Sequence, residues 1–302
     1  MAARIGTSVV TGFRSANRSW LGIGLYAAGW LVIGVISLAS LLVTSPPQAL
    51  FEDADTPAPA VTAQADAQMV EARNTERERI INAWFFRAWP VLLGLAIVYV
   101  LATTWLTGGQ LGYAAQLVRT PHAHLRDFRA AGSRHFGPLL GALGLGLAVS
   151  VIAFAAVIAL VMVSAAAGRG VLVALSVAAL LVASVALVWL GVRLVFWWIA
   201  IVGDGLGPIA ALKASFRATR KRWWRTMGLV ALLGVINAGA SIVCRAIVIF
   251  GGVLGGVGGV LLILAGVLPL IIWSLYFTFV FTAASIRFYD DATKSAPSAS
   301  VA

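Results

Sequence analysis

The stretch SFRATRKRWWR, residues 215–225, carries five positive charges in eleven residues and ends on two tryptophans, directly before a long apolar run. Such a segment could contact nucleic acid, lie on a membrane surface, or flank a membrane span. The composition of the whole chain bears on this choice. Of the 302 residues, 61% are hydrophobic and 11% are charged, whereas a soluble domain is about half apolar and about a quarter charged. This composition predicts an integral membrane protein.

Six apolar runs are long enough to cross a bilayer as helices, which takes about 20 residues. The first run follows several arginines, as a signal peptide does, but its apolar core exceeds the roughly 7–15 residues of a signal peptide. We therefore interpret it as a retained span. The predicted fold class is all-α, a polytopic membrane protein with six transmembrane helices at residues 20–44, 88–107, 138–167, 171–195, 226–250 and 260–285.

Basic residues concentrate in alternate connections. Residues 1–19, 108–137 and 203–225 are rich in Lys and Arg, while the acidic loop 45–87 and the chargeless glycine run 251–259 fall on the other side. Because basic loops stay in the cytoplasm, both termini are predicted to be cytoplasmic. The bias toward Arg, Ala, Gly and Val suits a GC-rich bacterial genome. We predict a multi-pass protein of the bacterial cytoplasmic (inner) membrane.

The chain is predicted to form one membrane domain over residues 1–294, followed by a disordered tail at 295–302. Within this domain, the outer loop 45–67 is rich in Pro, Ala and Asp and lacks periodic hydrophobic residues, which is typical of a flexible linker. Residues 68–87 are good helix formers with alternating charge. They predict a polar helix that extends the second span, either as a structural cap or as a partner-docking surface.

An internal repeat precedes alternate spans. A short FR motif stands ahead of the first, third and fifth spans, as GFRSA (12–16), DFRAA (127–131) and SFRAT (215–219). Each copy is followed by more arginine, an aromatic residue and then the span. Upstream of the last two copies, GGQLGYAA (108–115) resembles GDGLGPIA (203–210). The pattern predicts three repeat units, each a basic interfacial helix followed by a transmembrane hairpin, at about 1–107, 108–202 and 203–291.

The third FR segment is predicted to be amphipathic. On a helix, Ile209, Leu212 and Phe216 form one apolar stripe, with cations on the flanks and back. Such a helix lies in the membrane interface with its cations toward lipid phosphates. Because the charges fall in three short segments, each tied to a span, we predict anionic lipid and not nucleic acid as the partner. The predicted phosphate contacts are Arg14, Arg18, Arg129, Arg134, Lys213, Arg217, Lys221, Arg222 and Arg225.

Residues that could carry chemistry are few. His122, His124, Asp127 and His135 share one connection, but nearby arginines oppose a cation, and no Cys or Glu completes a tetrahedral site. The lone Cys244 lies in an apolar stretch. We predict neither a metal nor a cofactor.

A polar stripe marks the fifth predicted span. Asn237, Ser241 and Arg245 follow at i, i+4 and i+8, on one helix face. In one interpretation, Arg245 reaches outer phosphates while Asn237 and Ser241 join a neighbouring helix. In the other, the stripe lines an outward-facing cavity for an anionic group, with Arg245 as its charge partner.

Glycines recur at a spacing of four in GGVLGGVGGV (251–260) and at Gly137 and Gly141. This spacing allows two helix backbones to approach closely in lipid. As a loop, the first run would instead form a flexible outer turn, so loop and helix are both open. Glycine-rich faces of this kind could dock a membrane-protein partner or a second copy of the chain.

Together, the FR helices, the six spans, ALKASF (211–216) and IRFYDD (286–291) carry a resemblance. The chain resembles uncharacterised bacterial six-helix membrane proteins that look like the membrane domain of glycerophosphoryl diester phosphodiesterase fusions. The soluble barrel that carries phosphodiester chemistry in those fusions has no counterpart in this sequence. The resemblance therefore implies a membrane module and supplies no catalytic residues.

These observations predict a function without catalysis. We expect an accessory or scaffold module that engages anionic lipid through cytoplasmic basic amphipathic helices. The alternative is a transporter or lipid-translocating protein with a path between the hairpins. No Asp or Glu lies within the six predicted spans, and a proton- or sodium-coupled transporter normally keeps such a carboxylate.

The predicted topology can be tested by cysteine labelling. In a Cys244→Ser background, a cysteine at position 60 should react with an impermeant maleimide only from the outer face, and one at position 221 only from the cytoplasmic face. Position 60 reacting only from the cytoplasm would overturn the predicted orientation.

Overall fold

The computed structural model describes residues 5–45, 63–120, 122–166 and 169–294, and within them the secondary structure is helical, without strands. In chain order the helices are α1 (Ile5–Asn17), α2 (Trp20–Val43), α3 (Ala63–Arg119), α4 (Leu125–Ala166), α5 (Arg169–Leu194), α6 (Trp197–Gly203), α7 (Pro208–Arg220), α8 (Trp223–Leu254) and α9 (Gly256–Lys294).

Within the described residues, six helical stretches are long and apolar enough to cross a membrane: Trp20–Ser40, Asn74–Arg119, Leu125–Ala156, Leu181–Gly203, Trp223–Leu254 and Gly256–Thr293. The predicted all-α class and the six candidate spans are confirmed at this level. The fourth stretch is interrupted, because two turn residues separate α5 from α6.

Helix α3 is longer than a bilayer requires. It has 57 residues, or about 85 Å at 1.5 Å per residue, against a hydrocarbon core of about 30 Å. It begins at Ala63 and not at residue 68, so residues 63–67 of the predicted loop are helical and residues 68–87 continue into the second span. The rest of that loop, 46–62, and the predicted tail 295–302 lie outside the described residues.

By packing, the chain divides into two compact units: Met1–Ala27 with Thr104–Ala302, and Ala28–Thr103. In the second unit, two side-chain contacts join α2 to α3. The Trp84 indole N–H donates to the Thr44 carbonyl at 2.9 Å, and the rings of Trp30 and Tyr99 meet edge to face at 6.0 Å.

In the first unit, α1 packs on α9 through small residues. A Cβ added to Gly12 would lie 2.6 Å from the Val280 carbonyl oxygen and 3.0 Å from the Ala284 Cβ, so only glycine permits this approach. Aromatic side chains flank the contact, and Phe13 lies 6.3 Å from the Tyr276 ring. The buried residues of α1 are Ser8, Gly12, Ser15 and Ala16.

Helices α1 and α7 have matching features. Each has 13 residues, and each is separated by two residues from a helix that begins with tryptophan. The Ser19 N–H donates to Ala16 O at 3.0 Å, and the Arg222 N–H donates to Thr219 O at 3.1 Å. The middle FR motif forms no separate helix, since α4 runs from Leu125 through DFRAA without a break.

The two similar glycine segments also differ in structure. GGQLGYAA is helical within α3, whereas residues 204–207 of GDGLGPIA form the connection between α6 and α7. The glycines of α3 leave room for the FR segment of α4 to pack closely: a Cβ on Gly109 would lie 2.6 Å from the Phe128 ring. Trp105 packs edge to face on the same ring at 5.9 Å.

The glycine run 251–260 forms both helix and turn. Helix α8 ends at Leu254, and Gly255 and Gly256 have φ of +62° and +58°, which favour glycine. Across this turn, Gly251 packs on Gly259, where an added Cβ would lie 2.5 Å from the Gly251 carbonyl oxygen. The close contact is therefore between residues eight apart and not between the pairs of spacing four. Gly137 faces open space, and a Cβ on Gly141 would meet Pro208 at 3.1 Å.

The packed interior of the first unit surrounds α6 and the last turns of α9. Phe196, in the turn before α6, is fully buried between Phe288, at 5.9 Å, and Tyr289, at 5.5 Å. Other large side chains with less than 2% exposure include Leu139, Ile201, Leu229, Leu233, Phe279 and Ile286. Within the tail motif IRFYDD, Ile286, Phe288, Tyr289 and Asp290 are thus buried, while Arg287 is exposed.

We predict that Gly12→Val weakens the docking of α1 on α9. The added side chain overlaps backbone atoms of α9, and overpacking typically costs about 1–3 kcal/mol. The midpoint of thermal unfolding in detergent should fall by several degrees. Gly6→Val is the matched control, because nothing lies within 4 Å of a Cβ on Gly6. Equal midpoints for the two variants would contradict the α1–α9 contact.

Candidate lipid-binding site

Helix α7 is held on the first unit by its own small face. Its buried residues are Ala211, Ser215 and Thr219, spaced four apart. The Ser215 hydroxyl donates to the Arg193 carbonyl of α5 at 2.5 Å, and the Trp197 indole of α6 donates to Pro208 O at 2.7 Å. With this face inward, the opposite face of α7 carries the exposed residues Ile209, Ala210, Lys213, Arg217 and Arg220.

A cation from α5 is enclosed beside α7. The Arg193 guanidinium lies 4.9 Å from the Trp189 ring centroid and 5.5 Å from that of Phe216. Its Nη1 donates to the Phe216 carbonyl at 3.3 Å. Aromatic faces attract such a cation, more strongly when water is excluded. The pair of contacts therefore reduces the penalty of an arginine within a membrane span and ties α5 to α7.

The nine predicted phosphate contacts all belong to the first unit. Eight are exposed, and Arg222 is partly buried and donates to the Asp291 carbonyl at 3.4 Å. Within the described ranges, no ion pair or hydrogen bond engages the side chain of Lys213 or Arg217. These two cations are therefore available to an external anion.

An apolar groove opens beside these cations. It has a volume of about 610 Å³ and runs between α4 and α5 down to α6 and α7. A second, shallower cavity of about 650 Å³ adjoins it on α7, lined by Leu212, Lys213, Phe216 and Arg217. Leu212 and Phe216 line both, so the groove is continuous with a cationic rim. Its wall includes Gly146, Val149, Leu187, Gly191, Trp198 and Phe216.

A polar cluster joins the end of α3, the connection between α6 and α7, and the end of α9. It consists of Arg119, Asp204, Tyr289 and Asp290. Arg119 binds Asp290 with two hydrogen bonds, Nη2–Oδ1 at 2.9 Å and Nε–Oδ2 at 3.2 Å. Its Nη1 donates to the Gly203 carbonyl at 3.1 Å, and the Tyr289 hydroxyl donates to Asp204 Oδ2 at 2.6 Å. The cluster fixes the α6–α7 connection to the ends of α3 and α9, and thereby positions the start of α7.

The histidine segment has local structural uses. The Asp127 carboxylate accepts the His124 backbone N–H at 2.7 Å, which is half of a capping box at the start of α4. His122 and His124 are exposed, while His135 is buried on α4. Over the residues that the structure describes, no three His, Cys, Asp or Glu side chains are grouped so as to hold a metal ion.

The polar stripe of α8 is divided between packing and exposure. Asn237 Oδ1 accepts the Trp273 indole N–H from α9 at 3.1 Å, which is the contact expected of a residue that joins two helices. Ser241 is partly exposed and Arg245 is exposed on the surface of the chain. The anion-cavity interpretation of Asn237, Ser241 and Arg245 stays a prediction.

Sequence reasoning did not identify Arg193 or the Arg119–Asp290 pair as parts of a site. For Arg193 a signal was present, because Trp189 lies one helical turn before it. The partners Arg119 and Asp290 are 171 residues apart, and no local pattern links them.

The fold and this site define a multi-pass α-helical membrane protein with a groove that opens on its surface. The chain belongs to the family described as Domain of unknown function (DUF7847), whose model matches residues 87–292. That range includes the groove, α7 and the polar cluster, and it leaves out α1 and α2. No curated protein and no solved structure matches the chain.

We predict that the Arg119–Asp290 pair stabilises the first unit measurably. Arg119→Met leaves the Asp290 carboxylate, whose side chain is 7% exposed, without its partner. Breaking a buried pair costs about 3–5 kcal/mol, and the partial exposure of Arg119 reduces our expectation to about 2 kcal/mol. Denaturant unfolding in detergent measures this loss, and Arg119→Met/Asp290→Leu should recover part of it.

Arg287→Met is the control, because the Arg287–Asp291 pair is longer, at 3.6 Å, and more exposed. Its loss should stay below about 1 kcal/mol. Equal losses for Arg119→Met and Arg287→Met would contradict a structural role for the cluster.

Proposed function

We propose that this protein is a non-enzymatic accessory or scaffold module of the bacterial cytoplasmic membrane. It engages anionic lipid through basic helices on its cytoplasmic side, where both termini also lie. The FR helices are the contact surface, and α7 is the best defined of them.

The observation that carries this proposal is that α7 has a buried face of small residues and an exposed face with cations. Its buried face consists of Ala211, Ser215 and Thr219, while Lys213 and Arg217 are exposed and unpaired within the described part of the chain. An exposed cation near an anionic membrane surface is worth about 1 kcal/mol before screening. A helix that docks by small residues and presents cations outward suits a membrane surface.

The correspondence between α1 and α7 supports the proposed repeat. Counted from Phe13 and Phe216, three of the four buried residues of α1, Ser8, Gly12 and Ala16, occupy the same positions as Ala211, Ser215 and Thr219 of α7. Both helices therefore direct an equivalent face toward the bundle. The middle copy, at the start of α4, contributes Arg129 and Arg134 from a continuous helix.

We propose no catalytic role, because three acidic side chains that could carry chemistry have structural roles. Asp127 caps α4, and Asp204 and Asp290 accept hydrogen bonds within the polar cluster. Transport along a path between the hairpins stays a prediction, as does the resemblance to the membrane domain of glycerophosphoryl diester phosphodiesterase fusions.

Lipid selectivity tests the proposal. In reconstituted bilayers, electron paramagnetic resonance of spin-labelled lipids measures the fraction immobilised at the protein surface. We expect phosphatidylglycerol to be preferred over phosphatidylcholine at low salt. The preference should weaken at 1 M salt, where the Debye length falls to about 3 Å.

Neutralising Arg14, Arg18, Lys213 and Arg217 to Gln should remove most of this preference. The matched control neutralises four other arginines of α3 to Gln: Arg73, Arg77 and Arg79, which lie among acidic residues, and Arg87. The proposal fails if the wild-type protein immobilises both lipids equally at low salt, or if the two fourfold variants behave alike.

A further inference from the structure

We infer that the groove between α4, α5 and α7 binds one acyl chain of an anionic phospholipid, whose phosphate lies on Lys213 and Arg217. This inference rests on the proposed function and adds to it a discrete, saturable site. The general preference for anionic lipid in the proposed function concerns the layer of lipid around the protein, and that preference does not require a discrete site.

The dimensions of the groove match one chain in one leaflet. Its lining on α4 extends from Ala142 to Ser150, which is about 12 Å along a helix. One leaflet provides about 15 Å of hydrocarbon depth, half of the bilayer core. The volume of about 610 Å³ is also within the range of about 300–1,000 Å³ that is usual for sites that bind one small molecule.

The charge beside the groove favours a lipid over a partner helix. A phospholipid carries an anionic phosphate at the end of an apolar chain, and Lys213 and Arg217 lie beside the apolar lining of the groove. A flexible acyl chain can also reach the aromatic floor at Trp197 and Trp198.

The rim of the groove carries the charge that a phosphate needs. Lys213 and Arg217 are one helical turn apart, and both line the shallow cavity that shares Leu212 and Phe216 with the groove. Arg217 supplies a forked guanidinium, which binds phosphate oxygens in pairs. Trp198 lines the groove, and within the described ranges its indole N–H makes no hydrogen bond. It can donate to a lipid oxygen.

Two glycines allow the groove to be filled without disturbing the fold. Gly146 of α4 and Gly191 of α5 line the groove, and nothing lies within 4 Å of a Cβ on either. Gly146→Phe and Gly191→Phe therefore extend into the space that the acyl chain would occupy. Gly144→Phe is the control on the same helix, because Gly144 also faces open space but does not line the groove.

The experiment is native mass spectrometry of the full chain in detergent, titrated with phosphatidylglycerol or with phosphatidylcholine of the same acyl chains. We expect the wild type and Gly144→Phe to retain one tightly bound phosphatidylglycerol per chain that Gly146→Phe and Gly191→Phe both lose. Retention of that lipid by both groove-filling variants, at wild-type affinity, overturns the inference.

The charge of the rim is tested separately. Because each cation raises the affinity about fivefold, Lys213→Gln/Arg217→Gln should lower the affinity for the tightly bound phosphatidylglycerol by tenfold or more. The control Arg79→Gln/Arg87→Gln removes equal charge at exposed arginines that do not line the groove, and should leave the affinity unchanged. Equal affinity of the groove for phosphatidylcholine overturns the assignment of an anionic phospholipid.

The proposed function and this inference can fail independently. If the surrounding lipid shows no anionic preference but filling the groove still removes one phosphatidylglycerol, the site stands and the broader proposal fails. If the preference exists and filling the groove removes no lipid, the inference fails and the broader proposal stands.

Discussion

The close approach of α7 to α5 and α6 is the contact on which the rest of the site depends. Between helices in lipid there is little hydrophobic driving force, so small residues that allow close packing and hydrogen bonds between helices stabilise the contact. Ala211, Ser215 and Thr219 form such a face, and the Ser215 hydroxyl binds the Arg193 carbonyl. Once that face is inward, the cations and the apolar side chains of α7 must face outward. The same orientation makes Leu212 and Phe216 the lower wall of the groove.

The position of α7 is reinforced from two directions. On one side, Arg193 is enclosed by Trp189 and Phe216, so a charge that is costly in a span contributes to packing. On the other, the Arg119–Asp290 pair and the Tyr289–Asp204 hydrogen bond connect the α6–α7 connection to the ends of α3 and α9. The cations offered to lipid, Lys213 and Arg217, are thus distinct from the charged groups that hold α7.

The six spans and the all-α class could be predicted because apolar runs of this length leave few alternatives. The outward cations of α7 were also expected, since they fall around the flanks and back of the apolar stripe.

The face of small residues that docks α7 could not be predicted from the sequence. Ala, Ser and Thr do not stand out in a pattern of hydrophobicity, although they determine contact between helices in lipid. The Gly251–Gly259 contact has no signature in the sequence for a related reason: a spacing of four describes glycines along one helix, whereas the turn at Gly255 brings together residues eight apart. Long-range pairs such as Arg119–Asp290 depend on the tertiary fold and have no local signature.

The orientation of α7 is tested most directly by nitroxide scanning. Single cysteines at each position from 208 to 220, in a Cys244→Ser background, would be spin-labelled in phosphatidylglycerol bilayers, and their mobility and exposure to oxygen measured. The account predicts a helical period, with immobilised labels at Ala211, Ser215 and Thr219, mobile labels at Lys213 and Arg217, and an oxygen-accessible label at Ile209. Uniform mobility along the segment, or mobile labels at Ala211, Ser215 and Thr219, would contradict it.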